Sequence, residues 1–74
     1  MSKFDINVRL ARLGKKKVEV IRELQNQGIR VSAAQFSNFT NGLYQSAKSE
    51  TVLEASDQII AEWESKQSNH RTNL

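Results

Sequence analysis

Val31-Ser32-Ala33-Ala34-Gln35-Phe36-Ser37-Asn38-Phe39-Thr40-Asn41-Gly42 reads as a short helix with a cap at each end. Ser32 can accept a hydrogen bond from the free N–H groups of the first turn. Gly42, preceded by Asn41, supplies the left-handed residue that commonly closes a helix. Between the caps, Phe36 and Phe39 fall three apart on one face, and Ala33, three before Phe36, joins that stripe. Gln35, Asn38 and Asn41 mark the opposite face, with Ser32 and Ala34 at its start. A helix over 32–41 with an apolar back needs other helices to cover that back.

The rest of the chain supplies them. Immediately upstream, Ile29-Arg30-Val31 reads as extended, with Ile29 and Val31 turned inward and Arg30 outward. Before it, Val18, Ile21 and Leu24 give an i, i+3, i+6 stripe that Val20 widens, and Gly28 ends that helix. Lys15-Lys16-Lys17 leads into the same helix, while Glu19 and Glu23 lie one turn apart on its polar side. A first helix begins after Asp5, a candidate N-cap with Phe4 as staple residue. Ile6, Leu10 and Leu13 form its stripe, Arg9 and Arg12 fall elsewhere on the circumference, and Gly14 ends it.

Downstream, Leu43-Tyr44-Gln45 connects to a last helix over about 50–66. Ser46, Ser49 and Thr51 each offer a start, and Thr51 with Glu54 has capping-box spacing. Val52, Ser56, Ile59 and Trp63 make its stripe, with Leu53 and Ile60 beside it; Glu50, Glu54, Asp57, Glu62 and Glu64 stay outside. Residues 67–74 lack periodicity and read as a disordered tail. Four (four to five) amphipathic helices joined by glycine-punctuated turns predict a compact all-α domain over 1–66.

Composition bounds the chemistry. At 74 residues the chain is one small domain with a thin margin of stability. It has no Cys, and its one His lies in the polar tail, so neither a disulfide framework nor a zinc site is expected. No run approaches the ~18–20 apolar residues of a membrane span, and no charged-then-apolar leader opens the chain, so a cytoplasmic location is expected. The formal charge of +3 is unevenly spread: residues 1–48 carry nine Lys/Arg against three Asp/Glu, and residues 49–74 carry two against five. The front half is therefore the end expected to meet polyanions. The lysines at 15–17 oppose their own helix's macrodipole and are well suited to hold a phosphate.

With these helices placed, residues 16–42 resemble the helix-turn-helix of the Cro/CI-type (XRE-like) DNA-binding family. Its reading helix often has a valine, a serine, three free positions, an isoleucine, a serine and, five further on, a glycine. Here these become Val31, Ser32, Phe36, Ser37 and Gly42, with Asn41 before the glycine. Lys16-Lys17 fall where the family usually has Thr-Gln, and Val20, Ile21 and Leu24 look like the buried positions of the first motif helix. Two departures stand out. The turn from Gln25 to Arg30 is longer than the family norm, and Lys17 replaces a glutamine that commonly touches the DNA backbone. The resemblance extends over about 6–63, and the chain's size and basic front resemble small phage or prophage regulators of Gram-positive bacteria.

The resemblance implies a sequence-specific transcription regulator, a Cro-like repressor, that places helix 32–41 in the major groove of double-stranded DNA. Gln35 and Asn38 would be the chief base readers, since Gln and Asn can pair bidentately with adenine, with Ser32, Ala33 and Ala34 close to base edges and methyl groups. Lys15, Lys16, Lys17, Arg30, Asn41, Tyr44 and Lys48 would hold the sugar-phosphate flanks. A homodimer on a palindromic operator is the assembly the family implies, with helix 50–66 and the tail as candidate pairing surfaces. The alternative is a protein-binding modulator, an antirepressor or co-repressor acting on a partner regulator. Helix 32–41 has no Arg or Lys, and the last helix is acidic and amphipathic. Catalysis is not expected, because no His pairs with a carboxylate at usable spacing and the Glu19/Glu23 and Glu50/Glu54 pairs suit solvated faces. No cofactor is expected either.

Overall fold

Each of the three glycines closes one helix in a computed structural model of the chain. The structure describes residues 3–43 and 46–72, with side chains for 4–43 and 46–66. A 3₁₀ turn at Lys3–Asp5 leads into α1 (Ile6–Leu13), α2 (Lys17–Asn26), α3 (Ala33–Thr40) and α4 (Ala47–Thr72). Gly14, Gly28 and Gly42 have φ of 69°, 83° and 75°. After each one, the next N–H folds back onto the last helical turn: Lys15 onto Leu10 O (3.0 Å), Ile29 onto Leu24 O (2.9 Å) and Leu43 onto Asn38 O (2.9 Å). The glycine N–H groups bond Ala11, Gln25 and Phe39 carbonyls, completing three Schellman closures. At Gly28 a Cβ would meet nothing within 4 Å, so the positive φ, and not space, calls for glycine.

The four helices bury one core made of Ile6 and Leu10 (α1), Val20, Ile21 and Leu24 (α2), Val31, Phe36 and Phe39 (α3 and its approach), and Val52, Leu53, Ile59 and Ile60 (α4). The all-α four-helix expectation is met. Among the described residues no helix is long and apolar enough to cross a membrane.

Several local expectations are corrected. Val18 is 53% exposed, so the α2 stripe is Val20, Ile21 and Leu24. Val18 stands about 110° round the axis from the centre of that stripe, on a turn that no other helix covers. Ala33 is exposed as well; Thr40 completes the buried face of α3, its hydroxyl donating to Ser37 O at 3.1 Å. Asp5 occupies the N-cap position in the left-handed region (φ 52°) and its side chain caps nothing. Phe4 is also left-handed (φ 70°), at a cost of roughly 1–2 kcal/mol for each such residue, and it packs against the core.

The last helix starts at Ala47, a turn before Thr51. Ser46 and Ser49 cap each other: Ser49 N–H donates to Ser46 Oγ (3.1 Å) and Ser46 N–H to Ser49 Oγ (2.8 Å). Thr51 lies inside the helix and donates back to Ala47 O at 3.0 Å. Helix α4 runs to Thr72; residues 73–74 lie outside the described residues.

Asp57 and Glu64, expected outside, are drawn inward by Arg9. Its Nη1 donates to Asp57 Oδ1 at 2.6 Å, its Nη2 and Nε donate to the two Glu64 oxygens at 2.8 and 3.1 Å, and Nη1 also reaches Phe4 O. This bidentate clamp ties α1 and the left-handed entry turn to α4. The guanidinium beside it holds the Glu64 carboxyl below the usual carboxylate range, Arg12 adding to the pull and Asp57 opposing it. A lowered folded-state pKa contributes stability above the unfolded value of about 4.3, lost as pH falls through the folded value. Arg9→Met is expected to cost about 2 kcal/mol at pH 7, a figure kept small because both carboxylates are partly solvated. In urea titrations the gap between the two proteins should narrow sharply by pH 3; an equal gap at both pH values would refute the clamp.

Candidate functional site

The N-terminal turn of α3 is open to solvent. Ser32, Ala33, Ala34 and Gln35 are four consecutive exposed residues, whereas Phe36, Phe39 and Thr40 are buried. Ala34 and Asn38 lie on the side away from the core, Ser37 on one flank and Gln35 on the other, about 160° apart around the axis. The outward strip of α3 carries no charge and is made of small side chains and one amide.

The turn before α3 is held firmly despite its length. Six residues separate Asn26 from Ala33. The Gly28 closure fixes its start, half-buried Ile29 and buried Val31 pin its second half into the core, and Arg30 between them is exposed. Ser32 then caps α3. Its Oγ accepts from Gln35 N–H (3.1 Å), and Gln35 Oε1 accepts in return from Ser32 N–H (3.2 Å). The signal for this reciprocal capping box is Ser32-x-x-Gln35, the same spacing as Thr51 and Glu54, which form no such box because Thr51 lies inside α4. It engages the carbonyl oxygen of one of the two expected base-reading amides.

Cations stand on both flanks. On the Ser37 side, Lys17 Nζ donates to Ser37 Oγ at 3.3 Å, tying the start of α2 to the middle of α3 and leaving two ammonium protons for other acceptors. On the Gln35 side, Arg30 and Lys48 line an open groove of about 580 Å³ together with Gln25, Val31, Ser32 and Gln35. A second groove, of about 380 Å³, continues past Lys48 to Asn38 and Phe39. Neither Arg30 nor Lys48 makes an ion pair among the described residues.

The three lysines at the start of α2 do not act together. Lys16 is exposed at the N-cap position, where its backbone N–H donates to Glu19 Oε2 at 2.8 Å. That hydrogen bond, with help from Lys15, holds the Glu19 carboxyl below its usual range. Lys15 turns away from α3: its ammonium lies 3.6 Å from Glu19 and 5.0 Å above the Trp63 ring of α4. Asn41 sits at the far end of α3, its Oδ1 accepting from Asn7 Nδ2 at 3.1 Å. Tyr44 lies outside the described residues. The structure therefore gathers Ser32, Ala33, Ala34, Gln35, Asn38, Lys17, Arg30 and Lys48 along the exposed face of α3, leaves Lys16 in solvent at the start of α2, and places Lys15 and Asn41 elsewhere.

Comparison of the chain with protein-family models, with curated proteins and with solved structures finds no match.

Proposed function

We propose that this protein is a sequence-specific DNA-binding transcription regulator, Cro-like in its helix-turn-helix, that inserts the N-terminal end of α3 into the major groove. The observation that carries this reading is the exposed, uncharged face of α3, with Arg30 and Lys48 on one flank, neither in an ion pair among the described residues, and Lys17 on the other. A major groove about 12 Å wide admits one helix, and its walls are phosphate rows on both sides of that helix. Small residues at 32–34 let the helix backbone approach the base edges, while cations on either flank match the two rows. The turn at Gly28–Val31, closed onto α2 and packed into the core through Ile29 and Val31, supports this presentation of α3.

Fluorescence anisotropy of a labelled duplex, titrated across a salt series, tests it. Binding is expected at low salt, with affinity falling linearly in the logarithm of salt concentration, as release of counterions from phosphates requires. A chain that leaves duplex DNA unbound at low salt, or binds it with no salt dependence, would refute the proposal and turn attention to the protein-binding alternative.

A further inference from the structure

We infer that the site read by α3 is defined by A·T pairs, with Asn38 as the base-reading amide and the Ala33 and Ala34 methyl groups against thymine. This inference rests on the DNA-binding reading above. Guanine is most often recognised by Arg or Lys bidentate to O6 and N7, and cytosine by a carboxylate accepting from N4. The α3 segment from Ser32 to Asn41 has none of these side chains. It offers hydroxyls, methyl groups and amides, and amides and methyl groups are the matches for adenine N6/N7 and for the thymine C5 methyl.

The two amides on this surface are not equivalent. An adenine edge needs both ends of a side-chain amide at once, the oxygen accepting from N6 and the nitrogen donating to N7. Gln35 has its oxygen turned back on Ser32 N–H in the capping box. Asn38 accepts from Leu43 N–H only through its backbone carbonyl, and its side chain makes no hydrogen bond among the described residues. It stands one turn further along, on the outward strip with Ala34. Gln35 is therefore a positioning residue that fixes the first turn, and Asn38 is the group free to choose a base.

The two roles separate in one experiment. The wild type, Asn38→Ala and Gln35→Ala chains are each used to enrich duplexes from a randomised library, and each is also melted. Wild type should enrich a site with an A·T core. Asn38→Ala should melt near the wild-type temperature and lose discrimination at one adenine, by about 10-fold or more. Gln35→Ala should melt lower, through loss of half the capping box, yet enrich the same site. In the wild-type site, uracil in place of the contacted thymine should weaken binding about fourfold, the worth of one buried methyl, and 7-deazaadenine should mimic the Asn38 loss. Enrichment of G·C-defined sites, or a changed preference with Gln35→Ala and none with Asn38→Ala, would overturn the assignment while leaving DNA binding intact. Salt-dependent binding with no sequence enrichment would overturn it too, and no binding at all would overturn both readings.

Discussion

Phe36→Ala should bring the domain to the edge of unfolding. Phe36 is wholly buried at the second turn of α3, in a core it shares with residues of all four helices. Truncating a buried phenylalanine costs about 3–5 kcal/mol, the lost transfer energy plus the cavity left behind. A chain of 74 residues has a total stability of about 4–11 kcal/mol at 0.05–0.15 kcal/mol per residue. For domains this small each kcal/mol moves the melting temperature by about 4–8 °C, so a fall of at least 12 °C is expected by circular dichroism. Phe36→Leu, which retains much of the volume, should cost less than half as much. An alanine variant melting within about 5 °C of wild type would mean that α3 is not anchored through this ring. The result bears on function as well as stability, because the same helix carries Phe36 inward and Asn38 outward.

The parts of this arrangement that were legible in the sequence are those set by local spacing. Phe36 and Phe39 three apart, Gly42 after Asn41, and Val52, Ser56 and Ile59 on one stripe each report a helix face without reference to the rest of the chain. Gly14, Gly28 and Gly42 could be read as stops because a left-handed residue is needed wherever a helix closes in a Schellman turn. Val18 departs from its expected buried place for a related reason. Both i, i+3, i+6 and i, i+1, i+4 are helical patterns, and only the position of neighbouring helices decides which one is covered.

Interactions between distant parts of the chain were not legible. Arg9 meets Asp57 and Glu64 across 48 and 55 residues, and that pairing requires knowing that α1 lies along α4. Its one local trace is that Asp57 and Glu64, seven apart, share a face of α4 beside the apolar stripe. The division of labour among the three lysines is likewise tertiary. Trp63 draws Lys15 to α4, Ser37 draws Lys17 to α3, and Lys16 is left in solvent. The outward surface of α3 fared better, because its exposure follows from the buried face: once Phe36, Phe39 and Thr40 point inward, Ala34 and Asn38 must point outward.

Removing Arg30 and Lys48 together should weaken binding to every duplex alike, by about 10- to 100-fold at low salt, and lower the salt slope by about two units. Both side chains are exposed and neither has an ion partner among the described residues, so the double alanine variant should melt with the wild type. Lys17 is a poorer probe, since its loss would also break the contact with Ser37 on α3. The acidic end of the molecule does not blunt the expected effect. Glu50 and Glu54 lie about 200° and 240° around α4 from Lys48, on its far side, so a polyanion approaching over Lys48 meets positive charge first. Converting those two glutamates to glutamine should therefore change affinity much less than the loss of Lys48 and Arg30. If the glutamine variant gained as much affinity as the alanine variant lost, net charge alone would govern binding. If the alanine variant instead kept the full salt slope, the groove beside α3 would not be where phosphate is held.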